Sequence, residues 1–143
     1  MNAWHKWRAL TWTQRGWLVK GTLLVVAFRV ALWVLPFRTV LAFVDRVPRG
    51  RRALPPDEAV RMVRAAARRL LGDRPCLPQA LAVRYWLKRA GRDSTLRIGV
   101  MKDAGGALKA HAWLELDGRV LIGGESSRQR YVSLQPVAPA TET

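Results

Sequence analysis

The sequence predicts an α+β fold in which helices come first and an antiparallel sheet follows. Three observations carry that prediction. Up to Gly91 the apolar residues recur at helical intervals, and from Thr95 onward they alternate with a period of two. Between two of the alternating runs stands Asp117-Gly118, the dipeptide that closes a two-residue hairpin. The chain has 143 residues, one domain's length, and half of them are hydrophobic against 24% charged. That composition buries a core instead of staying disordered.

The first helix follows the apolar stretch Trp17–Leu35, with Thr11 or Thr13 to cap its start and Pro36 to stop it. It has about the length of a membrane span, but Lys20 and Arg29 interrupt it. A central Arg costs roughly 2.5–3.5 kcal/mol on insertion scales, so a spanning orientation is the least favoured. The expectation is a helix of about twenty residues that is either a core helix or rests on a membrane or partner surface. Its flanks mix Arg with Trp4, Trp7, Trp12, Trp17 and Trp33, a combination suited to an interface. A second short helix runs over Phe37–Val47 and ends at Pro48. Arg49-Gly50-Arg51-Arg52 and Pro55-Pro56 then read as a linker with a solvated charge run.

Pro56 and Asp57 open a third helix, with Val60, Val63, Ala67, Leu70 and Leu71 on one face and Gly72 at its end. Asp57 and Glu58 in its first turn and Arg68 and Arg69 in its last complement the helix dipole. A fourth helix carries Leu77, Ala80, Leu81, Val83, Trp86 and Leu87 and ends at Gly91. Pro78 is tolerated only in the first turn, which fixes the start near Cys76 or Leu77. Strands follow at Thr95–Met101, Leu108–Leu116, Arg119–Ile122 and Tyr131–Leu134, and the tail after Pro136 is expected to be loose. The organisation expected is a basic, Trp-rich helical region over 1–52, a core over 53–135 and a tail over 136–143.

Charge is uneven along the chain. Residues 1–52 hold ten basic residues against one acid, residues 53–91 eight against three, and residues 92–143 seven against six. The basic half is suited to meet something anionic, or to keep the chain soluble. Nucleic acid is not the expected partner, because charge alone is present without an aromatic–basic module or a helix-turn-helix pattern. The single cysteine excludes a disulfide framework and a multi-cysteine metal site; Cys76 with the two histidines could in principle ligate a metal, but His5 lies in a frayed-looking N-terminus, and no cofactor is expected. The N-terminus lacks the pattern of a secretory signal, and the expected compartment is the reducing cytoplasm, with membrane association through the first helix as an option.

Two residues stand out chemically. Cys76 opens a helix, where unpaired N–H groups and the dipole favour a thiolate and can hold an oxyanion, although a free cysteine is commonly just a small buried residue. His111 lies in the second strand and shares a face with Trp113, Glu115 and Asp117. Asp117 is about 20 Å away, too far to orient the ring. Glu125 is the nearest acid by sequence, but in strict register it points to the other face. Only a bulge at Gly123-Gly124 would turn it back.

A cysteine that opens a helix and a strand histidine 34 intervening residues later form the papain and transglutaminase layout. CLPQALAVRYWLKRAG, LRIGV and AHAWLELDGRVLIGG, in that order over roughly residues 56–135, resemble the transglutaminase-like cysteine peptidases of lasso-peptide biosynthesis, the B-protein leader peptidases. The resemblance implies a papain/transglutaminase-like core with the nucleophile's helix packed on an antiparallel sheet. It also implies removal of the leader from a ribosomally made precursor, with the core peptide passed to a cyclase and a separate leader-recognition domain as partner. Of the family's Cys-His-Asp triad, Cys76 matches the nucleophile and His111 the base. Where the family carries its acid this chain reads Gly123-Gly124-Glu125, so the third member is Glu125 or no side chain at all. Gln79, one turn along the helix, has at most a supporting role. The rival readings are an acyl transferase of the same class and a non-catalytic module docking a membrane or an acidic partner.

Overall fold

The computed structural model describes residues 8–50, 54–70 and 76–134. Arg51 and Arg52 of the expected linker, Gly72 and the tail from residue 135 lie outside the described residues.

Helix α1, Trp12–Val34, begins five residues earlier than its apolar stretch because Thr11 and Gln14 form a reciprocal capping box. Its Leu18, Gly21, Val25 and Phe28, spaced by three and four, make the stripe that is buried against α3 and α4. After Pro36, α2 (Phe37–Asp45) buries Val40, Leu41 and Val44. Helix α3, Pro56–Leu70, turns Ala59, Val60, Val63, Ala66 and Ala67 inward. Helix α4, Cys76–Arg89, is the central element, touched by α1, α2, α3 and two strands, and eight of its fourteen residues are buried. One of the eight is Arg84, whose Nε and Nη2 donate to Asp45 Oδ1 at 3.0 and 2.8 Å, and whose Nη1 donates to the Ser94 carbonyl. That buried fork fastens the end of α2 to α4 and to the entry of the sheet.

The sheet is antiparallel, in the order β3-β2-β1-β4, with β1 Thr95–Lys102, β2 Leu108–Leu116, β3 Arg119–Ile122 and β4 Val132–Ser133. Asp117 and Gly118 both have positive φ (50° and 77°), as a two-residue hairpin of the predicted kind requires, and Leu116 faces Arg119. Alternation sorts the side chains by face. Leu96, Leu114 and Leu116 join the core under α4, while Arg97, Gly99, His111, Trp113 and Glu115 take the opposite face. Val25, Phe28, Val40, Leu41 and Val44 belong to the same buried cluster as α3, α4 and the strands. Packing therefore crosses the boundary expected at residue 52.

Candidate active site

Strand β3 positions the site by ending early. Its pairing with β2 carries a bulge: Leu114 faces Ile122 while Glu115 faces Val120, which leaves Leu121 as the extra residue. Pairing stops at Ile122, and Gly123 and Gly124, with φ of 102° and 89°, lead the chain out of the sheet. The edge of β2 at Ala112 is thus left without a strand partner on that side, and the start of α4 abuts it. The Cys76 sulfur there takes hydrogen bonds from the Ala112 and Leu77 N–H groups and is bonded to His111.

Partial burial of Cys76 works against the thiolate. The His111 bond, the two amides and the imidazolium charge outweigh it, so the thiol is held below its ordinary value. His111 moves the other way. Its bond to Cys76 raises it, burial opposes, and the Gly123 carbonyl and the thiolate charge add to the rise. The two shifts favour one state, a thiolate beside an imidazolium.

The His111 ring is fixed on both sides. Nε2 donates to the Gly123 carbonyl at 2.7 Å; a carbonyl only accepts, so Nε2 carries the hydrogen and Nδ1 is left for the thiol. Ser127 Oγ donates to the same carbonyl at 2.6 Å and holds it in place. Tyr131 stacks on the imidazole with centroids 4.9 Å apart and 28° between planes, and Trp113 lies 6.3 Å away at 22°. Trp113 and Tyr131 close over Gly99, where a Cβ would sit 2.8 Å from the Trp113 ring and 2.8 Å from Tyr131 Cβ.

Trp113 is pinned in turn by Glu115. The indole Nε1 donates to Glu115 Oε1 at 2.9 Å, Arg128 Nε donates to the same oxygen at 2.8 Å, and Arg97 Nε donates to Oε2 at 2.9 Å. Burial alone would raise this carboxyl. The bonds from Arg128, Trp113 and Arg97 overcome it and lower the value to about 2.

Of the residues singled out from sequence, Cys76 and His111 are brought together and Glu125 is not. The bulge in the β2–β3 pairing lies at Leu121 and not at Gly123-Gly124, where Glu125 would have required one. Because the strand ends at Ile122, Glu125 falls in the exposed turn before the short helix α5 (Ser127–Arg130), and the Gly123 carbonyl takes the place at His111 Nε2. A side chain at Gly123 is excluded as well, since a Cβ there would lie 2.5 Å from Trp113 Cβ. Sequence reasoning missed the Gly123 carbonyl, Ser127, Tyr131 and the role of Glu115. The shared face of His111, Trp113 and Glu115 was the one signal available for the last. Among the described residues no group of three or more His, Cys, Asp and Glu could hold a metal ion.

A family model described as the transglutaminase-like superfamily matches residues 22–135, from within α1 to the end of the sheet. No curated protein and no solved structure matches the chain.

Proposed function

We propose that this chain, which belongs to the transglutaminase-like superfamily, is a cytoplasmic cysteine peptidase that cuts the leader from a ribosomally made lasso-peptide precursor and releases the core peptide to a cyclase. One observation carries the peptidase reading: a thiol at the first residue of a buried helix, bonded to a histidine whose other nitrogen is held by a fixed carbonyl. The narrower assignment to lasso precursors rests on the resemblance of the motif blocks around Cys76 and His111. A leader-recognition domain is the partner that reading requires.

In the proposed reaction the Cys76 thiolate adds to the carbonyl carbon of the scissile peptide bond. The Leu77 and Ala112 amides, aimed at the sulfur, are the donors nearest the oxyanion that forms. As the C–N bond breaks, His111 gives its Nδ1 proton to the departing amine, and a thioester to Cys76 remains. Neutral His111 then takes a proton from water, the hydroxide adds to the thioester, and the carboxylate leaves with the thiolate restored.

Mass spectrometry of a leader-bearing precursor incubated with the protein and a recognition partner tests this. The expected result is two fragments whose masses sum to the precursor plus one water, absent with Cys76→Ala. A product in which the acyl group has joined an amine would replace the peptidase by a transferase. An intact precursor, with partner binding demonstrated, would end the enzymatic reading.

A further inference from the structure

Helix α1 has two apolar faces, and the fold uses one. The inner stripe of Leu18, Val25 and Phe28 is consumed by packing. A second stripe, Trp12, Val19, Leu23, Val26, Val30 and Trp33, recurs at steps of seven, four, three, four and three, and all six residues are exposed. At 100° per residue the two stripes lie on nearly opposite sides of the helix. The outer one is about 30 Å long and ends at each side in a tryptophan, Trp12 at 87% and Trp33 at 89% exposed. Lys20 and Arg29, both exposed, fall on its two borders. The first 44 residues contain six Lys and Arg and no Asp or Glu, and the first acid, Asp45, is buried against Arg84.

We infer that the outer face of α1 docks this protein, with the helix lying in the membrane plane, on an anionic lipid bilayer. An exposed apolar stripe with terminal indoles and cationic borders fits the boundary between headgroups and acyl chains, where the ring N–H and the ammonium or guanidinium groups reach phosphate. The charge sign selects anionic lipid, because nothing acidic on this helix would be repelled by it. The helix is long and apolar enough to cross a membrane. Crossing would remove Leu18, Val25 and Phe28 from the core they share with α3 and α4, so the packed fold is compatible with lying on the surface and not with spanning.

The inference is independent of the peptidase reading, since binding is measured without a substrate. The full chain is sedimented with vesicles of phosphatidylcholine alone and of phosphatidylcholine mixed with phosphatidylglycerol, across a salt series. Expected is cosedimentation with the mixed vesicles that falls as salt rises, and a drop of about tenfold or more in the Leu23→Glu/Val30→Glu double variant. Circular dichroism of the variant, whose changes are on solvent-facing positions, checks that it is folded. Recovery of the chain in the supernatant with every vesicle, equal binding to both compositions, or equal binding by the folded double variant would each overturn the inference. So would a self-associated species, seen by gel filtration, that the double variant abolishes while vesicles sediment neither protein.

Discussion

A carbonyl oxygen carries no net charge, so Gly123 orients His111 and supports its imidazolium through one hydrogen bond, with less electrostatic stabilisation than a carboxylate would give. The anion that balances His111 is the Cys76 thiolate itself. The thiol is lowered and the imidazole raised, so both shifts move the equilibrium toward the ion pair. Alkylation of Cys76 by iodoacetamide should therefore set in at lower pH in the native protein than in His111→Ala, where the thiol loses its main support and moves back upward. A labelling curve left in place by His111→Ala would remove the pair from the site. Glu115 and Glu125 make a second contrast at this scale. Glu115→Gln weakens two arginine bonds to a buried carboxylate and should lower stability by about 1–3 kcal/mol, whereas Glu125→Gln, in an exposed turn, should stay within about 0.5 kcal/mol. The Glu115 contribution has a pH signature. Its value falls from an ordinary 4.5 to about 2, so the stabilisation is complete above the first value and is lost as pH drops toward the second. Thermal melts from pH 6 to acid should converge for native protein and Glu115→Gln, and parallel curves would refute the assignment. Cys76 and His111 were legible in the sequence because each follows from a local rule, a proline that fixes a helix start and an alternation that fixes a strand face. Their orienting partner was not, because a backbone carbonyl has no residue signature and its position depends on a bulge two residues from where the glycines suggested it.

Elements bring these residues together through what they leave out. Strand β3 is only four residues long, and its early end opens the edge of β2 to the start of α4. Strand β1 contributes an absent side chain: Gly99, opposite His111, is the floor on which Trp113 and Tyr131 close. A methyl group there meets an indole held by Glu115 on one side and a backbone-linked Cβ on the other, so neither can yield cheaply. Gly99→Ala should cost about 1–3 kcal/mol by overpacking. It should also displace the His111 ring and lower turnover of a cleaved peptide. A stable variant with native turnover would show that the aromatic pair does not hold the imidazole. The helix and strand assignments were largely readable from periodicity and end signals, and the hairpin at Asp117-Gly118 forms as its two positive φ values demand. Helix α5 was not readable. It is a single turn, Ser127–Arg130, with no apolar period, and it is specified by what Ser127 and Arg128 reach across space.

At the scale of the molecule, the basic N-terminal region and the sheet-bearing region share one buried cluster. Val25, Phe28, Val40, Leu41 and Val44 lie in it beside Val63, Leu81, Leu87 and Leu114, and Asp45 completes the buried fork of Arg84. The family match, starting at residue 22, likewise enters within α1. The sequence divided the chain near residue 52 on the Arg49–Arg52 and Pro55-Pro56 run, but a solvated charge run with prolines does not report which inner faces meet. The consequence is a truncation that should fail. A chain beginning after Val47 would expose apolar surface on α3 and α4 and strand Arg84 without its carboxylate. Five buried side chains at about 1.5–3 kcal/mol each are together comparable to the roughly 5–15 kcal/mol that stabilises a whole domain. An uncompensated buried charge adds about 3–5 kcal/mol more. The shortened chain should accordingly be insoluble or show no cooperative melt, and its Cys76 should label as an ordinary thiol without the low-pH reactivity of the intact site. A truncated protein that melts cooperatively and retains that reactivity would mean the helices after residue 54 and the sheet form a core without α1 and α2.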